Sequence, residues 1–207
     1  MVQTGEAFSA AIAAAVGEAE QHTSAEIVVV VAPRSASWSG VAAAVGAAAA
    51  WAVLAVAVLA HFVEVHPYAL LAELPVVGIG GAWLAHRSPA LLRLLVPKAR
   101  QAAAVTAAAH AAFVAEQVHE TRARTGVLLY LSLLERRTAL VVDAGVEGAV
   151  PDGALAALRF GPAPGQLGTL DELCAGVRST GQVLGRHLPP SPGDNPDELP
   201  NAPRVRT

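Results

Sequence analysis

HETRARTGVLLYLSLLERRTALVVDAGV, residues 119–146, holds two apolar runs joined by a short charged turn. GVLLYLSLL and TALVVDAG have the aliphatic and β-branched content of strands. A connection as short as ERRT makes the pair antiparallel. Upstream, residues 97–124 (PKARQAAAVTAAAHAAFVAEQVHETRAR) predict one long helix, with Pro97 near its first turn and Arg122 and Arg124 in its last, where cations favour the helix dipole. Earlier still, SAEIVVVVAP (24–33) is a continuous β-branched run, the pattern of a strand buried on both faces. Strand, long helix, strand is a βαβ unit, so the first two strands are expected parallel with a right-handed crossover.

The flanks complete a small α/β sandwich. Phe8, Ile12, Ala15, Val16 and Ala19 recur at helical spacing. A short helix is expected after VPDG (150–153), then a break at FGPAPGQLG (160–168). TLDELCAGVRSTGQVLGRHL (169–188) reads as a last helix weakened by Gly176 and Gly181. From Pro189 the chain is proline-rich and is expected to be disordered or loosely docked. Chain order puts ERRT at the same end of the sheet as Pro33, and Glu26, Thr125 and Asp143 at the opposite end.

Residues 39–87 interrupt this domain. Val41–Val63 carries no charge over 23 residues; as a helix it is about 34 Å long, enough for a hydrocarbon core of about 30 Å. The other reading is a buried soluble helix. Tyr68–Ala85 is weaker, broken by Glu73, Pro75 and three glycines, which a helical hairpin tolerates when its partner covers the freed backbone. Gly46, Ala50, Gly78, Gly81 and Ala82 would allow close helix approach. Arg87, Arg93, Lys98 and Arg100 follow the second segment with no acid among them, while the connection holds Glu64 and no Lys or Arg. The positive-inside rule then gives a multi-pass inner-membrane protein with both termini cytoplasmic. The organisation expected is 1–38 and 88–188 as one α/β domain, 39–87 as a transmembrane hairpin, and 189–207 as a tail.

Composition excludes some functions. The hydrophobic share of 54% and charged share of 15% lean towards a membrane protein. A net charge of −3 offers no footprint for nucleic acid. Cys174 is the one cysteine, so an intramolecular disulfide and polythiolate metal sites are excluded. MVQTGEAFSAAIAAAVGEAE has no basic n-region and three glutamates, unlike a secretory signal. No phosphate-binding loop, nucleophile elbow or zinc-ligand cluster is written in the chain.

TSAEIVVVVAPRS, then the hairpin, then the block from His119 to Val146 and the closing HLPPSPGDNPDELPN together resemble the membrane-anchored bacterial branch of the TPM domain family. The resemblance implies a small α/β/α sandwich with a central mixed sheet, here interrupted by a two-helix transmembrane hairpin. It also implies a phosphatase activity, although plant relatives act in photosystem repair and an animal relative is a receptor auxiliary protein. Two positions depart from the pattern. RART precedes the second strand where phosphatase-associated members carry acids, and Ala25 stands where this branch has glycine.

Glu26, His119, Arg124 and Asp143 are the candidate catalytic residues. Two carboxylates can bind a divalent cation, arginine can stabilise phosphate charge, and histidine can move a proton. The competing reading is that Asp143 caps the following helix and Glu26 pairs with a nearby cation. His61, Glu64 and His66 match no firm metal-ligand spacing, so no metal site is assigned and no cofactor is identified. Arg34, Arg87, Arg93, Lys98, Arg100, Arg136 and Arg137 are expected to form a basic rim beside anionic headgroups of the bilayer. The function expected is a non-catalytic binding or assembly module for another membrane protein of the envelope. The alternatives are a phosphatase-like hydrolase near the inner leaflet and a small channel or transporter subunit.

Overall fold

The computed structural model describes residues 5–59, 67–190 and 199–206. His61, Glu64 and His66 lie outside them. Two compact units are present, residues 1–35 with 102–207, and residues 36–101.

The first unit is built on a four-stranded sheet of order β3-β2-β1-β4. β1 (Glu26–Ala32) and β2 (Gly126–Ser132) are parallel in the register Glu26↔Gly126 to Ala32↔Ser132. β3 (Arg137–Val142) runs antiparallel to β2. The βαβ unit and its antiparallel third strand are therefore as the sequence predicts.

Every residue of β1 and β2 is buried, because helices cover both faces. Ile27, Val29 and Val31 pack towards α1 (Glu6–Glu20) and α7 (Leu170–Gly185), among Ile12, Val16, Leu173 and Val177. Val28, Val30 and Ala32 face the other way, onto Val105, Ala109, Ala112 and Phe113 of α5 (Lys98–Ala115). The result is an α/β/α sandwich. A strand that is apolar on both faces does not fix its own register, because a one-residue slip exchanges like for like. Polar contacts at the two ends of β1 supply the missing specificity: the Ile27 amide donates to Glu20 at 2.9 Å, and the Ser35 amide donates to Glu135.

Three local readings change. α5 ends at Ala115 and gives way to a 3-10 turn, Val118–Glu120, entered through Gln117 at φ 58°. Arg122 and Arg124 therefore lie beyond the helix and do not complement its dipole. A short helix not foreseen, α4 (Pro89–Leu95), starts with Ser88 as its cap and Pro89 in its first turn. Gln101 ties it to the start of α5 by donating to the carbonyls of Arg93 and Val96, both at 2.9 Å. Residues 88–101 consequently belong with the hairpin rather than with the sandwich. Third, the end of the proline-rich tail is docked. β4 (Arg204–Val205) pairs parallel with Val30 and Val31, and the Arg206 amide donates to Val31 at 2.8 Å.

The second unit holds α2 (Ser39–Leu59) and α3 (Pro67–Arg87), both long and apolar enough to cross a membrane. Only 11% and 6% of their apolar windows are buried, unlike the core helix of a soluble protein. Trp51, Val56, Leu59, Leu71, Ile79 and Trp83 are among the exposed side chains. Where the helices meet they approach closely. A Cβ on Gly46 would lie 2.1 Å from the Gly78 carbonyl oxygen, so only glycine fits.

Candidate functional site

At the amino end of the parallel strands, Asp143 follows β3 and caps α6 (Ala144–Ala149), its Oδ1 accepting from the Ala144 amide at 2.8 Å. Its Oδ2 lies 2.9 Å from Nε of Arg124, whose backbone is left-handed at φ 57°. The N–H is not aligned with that oxygen, so the contact is an ion pair rather than a hydrogen bond. Arg124 is 56% exposed, which limits the pair to about 0–1 kcal/mol. Asp143 thus has the capping role that competed with catalysis in the sequence.

Glu26 is buried at the first position of β1, opposite Gly126. The Asp143 amide donates to Gly126 from the other side at 2.9 Å. The backbones carrying the two carboxylates are therefore two strand spacings apart, about 9.6 Å. A Cβ on Gly126 would meet the Val118 carbonyl oxygen at 2.1 Å, so the 3-10 turn lies directly over β2 between them. His119 belongs to that turn. Its Nδ1 is buried without a hydrogen-bond partner, and its ring centroid is 6.2 Å from that of Phe113. Of the four predicted residues, Arg124 and Asp143 touch, while Glu26 and His119 share only the same end of the sheet. Among the described residues, no three His, Cys, Asp or Glu side chains gather as a metal cage.

The carboxyl end is chemically richer than the sequence suggests. The turn after β2 crosses back over β1, with Leu133 and Leu134 amides donating to Ala32 and Pro33. Glu135, part of the charged turn expected to face lipid headgroups, points inward and is 3% exposed. Its carboxylate accepts from the Ser35 amide (3.3 and 3.2 Å to the two oxygens) and from the Ser132 hydroxyl. Ser35 Oγ donates to Ser132 Oγ at 2.8 Å. This clasp fixes where the chain leaves β1. Arg136 adopts φ 52° and is exposed, which lets Glu135 turn in while the next side chain turns out.

Beside the clasp is a groove of about 720 Å³ lined by Ala32–Ser35, Tyr130 of β2, Ala108 and Ala111 of α5, Leu134 and Arg206. Arg206 reaches it because the tail is docked. Arg204 Nη1 and Arg206 Nη2 hold Glu116 at 2.8 and 3.0 Å. Burial alone would raise the Glu116 carboxyl, but hydrogen bonds and charge from the two arginines bring it below its ordinary range.

The expected basic rim divides between the units. Arg34 and Arg136 are exposed and Arg137 half-buried at the carboxyl end of the sandwich. In the hairpin unit, Arg87 stacks on Trp83 at 4.9 Å and Arg100 on Trp38 at 5.5 Å, each cation shared with an aromatic face. Lys98 is exposed and Arg93 half-buried. Glu135, Tyr130, Glu116 and the tail arginines are what sequence reading missed. A buried Glu in a charged turn has no periodic signature, and its donor at Ser35 is a hundred residues away.

No protein-family model and no curated protein matches the chain. Among solved structures it is similar to the NMR structure of the BA42 protein from the psychrophilic bacterium Bizionia argentinensis. The two are 17% identical, with a TM-score of 0.56 and full coverage of both chains. That likeness supports the α/β fold alone.

Proposed function

We propose that this protein is a membrane-anchored member of the TPM domain family whose sandwich binds or stabilises another envelope protein from the cytoplasmic side of the inner membrane. The observation that carries the reading is the insertion of two apolar, largely exposed helices between β1 and α5 of a domain that closes its own core. An insertion of this kind anchors a folded module without contributing to its core. Arg87 after α3, followed by Arg93, Lys98 and Arg100, sets the orientation. Binding is favoured over hydrolysis because Asp143, the best candidate catalytic carboxylate, already caps α6 and pairs with Arg124.

The experiment is cross-linking in intact membranes followed by affinity purification of the full chain. A reproducible membrane-protein partner is expected, and its loss when the sandwich surface is altered. Failure to recover any partner across replicate preparations contradicts the reading. Metal-dependent turnover of phosphate esters that is abolished in Asp143→Asn would replace it with the phosphatase-like alternative.

A further inference from the structure

We propose that the groove at the carboxyl end of β1 and β2 is an anion site for a phosphate ester, held between Arg34 and Arg206. In open sheets with parallel strands, ligands bind beyond the carboxyl ends where neighbouring connections diverge. Here β1 pairs on one side with β2, reached through α5, and on the other with β4, contributed by the tail. The groove lies at that divergence, and its volume of about 720 Å³ is in the range that takes small molecules.

Charge and shape select the ligand. Arg34 is exposed and has no ion-pair partner among the described residues. Glu116 offers one negative charge to both Arg204 and Arg206, leaving that trio one positive charge in excess. Glu135 is the other acid close by. Its carboxylate is turned into the clasp, where it takes the Ser35 amide and the Ser132 hydroxyl. Three cations against two anions leave a net positive mouth. Arginine forks suit phosphate oxygens; Arg206 already gives Nε and Nη2 to Glu116, so it meets the ester through its Nη1 edge, while Arg34 supplies the second cation. Tyr130 of β2 is 2% exposed and lines the groove. Ala108, Ala111 and Leu134 make an apolar wall for the organic part of the ester. Because Arg206 follows β4, the site is complete only when the tail is docked.

The same ester chemistry can come from a soluble phosphate monoester or from an anionic lipid headgroup. Full-length protein in phosphatidylcholine nanodiscs is titrated calorimetrically with phenyl phosphate at fixed salt. Parallel discs carry phosphatidylglycerol, and lipid co-purifying with the protein is quantified. Saturable one-to-one binding of phenyl phosphate, weakened at least tenfold in Arg34→Gln, assigns the soluble source. Selective enrichment of phosphatidylglycerol, lost in Arg34→Gln and kept in Arg136→Gln, assigns the lipid source. Arg34→Gln leaves the Glu116 bridges untouched, so its effect does not depend on the tail. Arg206→Gln is expected to weaken binding as strongly. Absence of both forms of binding in the folded wild type overturns the proposal, as does equal loss in Arg34→Gln and Arg136→Gln. The inference goes beyond the partner-binding role proposed above and does not depend on it. Phenol release dependent on Arg34 would uphold the site while removing that role.

Discussion

Replacing Glu135 with alanine removes the acceptor at the centre of the clasp that closes the carboxyl end of β1. Two donors lose their partner: the Ser35 amide and the Ser132 hydroxyl. Hydrogen bonds to a charged group contribute about 1.5–3 kcal/mol each. Ser132 is fully buried and its loss counts in full, while Ser35 is half-buried and water can partly replace its partner. The expected destabilisation is therefore about 2–4 kcal/mol, with Glu135→Gln near the low end because one acceptor oxygen remains. The suitable assay is hydrogen exchange by mass spectrometry on the full chain in detergent, since it reads local opening directly. At about 1.4 kcal/mol per decade, the Ser35 amide should exchange roughly 30- to 700-fold faster in the alanine variant. Ser132→Ala should produce a smaller increase, and the double variant less than the product of the two. If Ser35 exchange changes less than threefold in both Glu135 variants, the buried carboxylate does not hold the strand end.

Gly126→Val should cost more than about 2 kcal/mol in urea unfolding of the sandwich, because its Cβ would sit 2.1 Å from the Val118 carbonyl oxygen and backbone must move. Gly46→Leu should separate α2 from α3, read as loss of an engineered disulfide between cysteines placed at Ala50 and Gly78, which the native approach allows. Tail docking should fail in strong acid. The folded Glu116 carboxyl is held below its ordinary range, so its contribution is present above the unfolded value and lost as pH falls through the lowered folded one. Protection of the Arg206 amide should follow that transition, and Glu116→Gln should abolish the pH dependence.

The parallel pairing was legible because Ile27–Ala32 is apolar at every position, a pattern that requires cover on both faces. Alternation is absent there, so periodicity alone names neither face, and the division between the two helical layers emerges only from packing. Asp143 was legible as a cap because Asp before AGVEGA matches the donor geometry of a helix start. β4 was not, since two residues after a proline-rich run carry no period and gain their strand character only from the edge of β1. The ends of α5 were obscured by alanine, which favours helix everywhere and marks no boundary. The groove was out of reach for a different reason: it is assembled from the end of β1, the middle of β2, one face of α5 and the tail, with no two contributions forming a motif. Sequence chemistry instead pointed to the opposite end, where acids cluster by topology but are occupied locally.

The membrane arrangement is tested most directly by thiol accessibility. In a Cys174→Ser background, single cysteines at Gly5 and Glu64 are exposed to a membrane-impermeant maleimide in intact spheroplasts and again after lysis. Labelling of the Glu64 position in intact cells, with the Gly5 position reacting only after lysis, is the result expected for a hairpin crossing the inner membrane and a cytoplasmic sandwich. Labelling of Gly5 in intact cells, or of neither position until lysis, would contradict it.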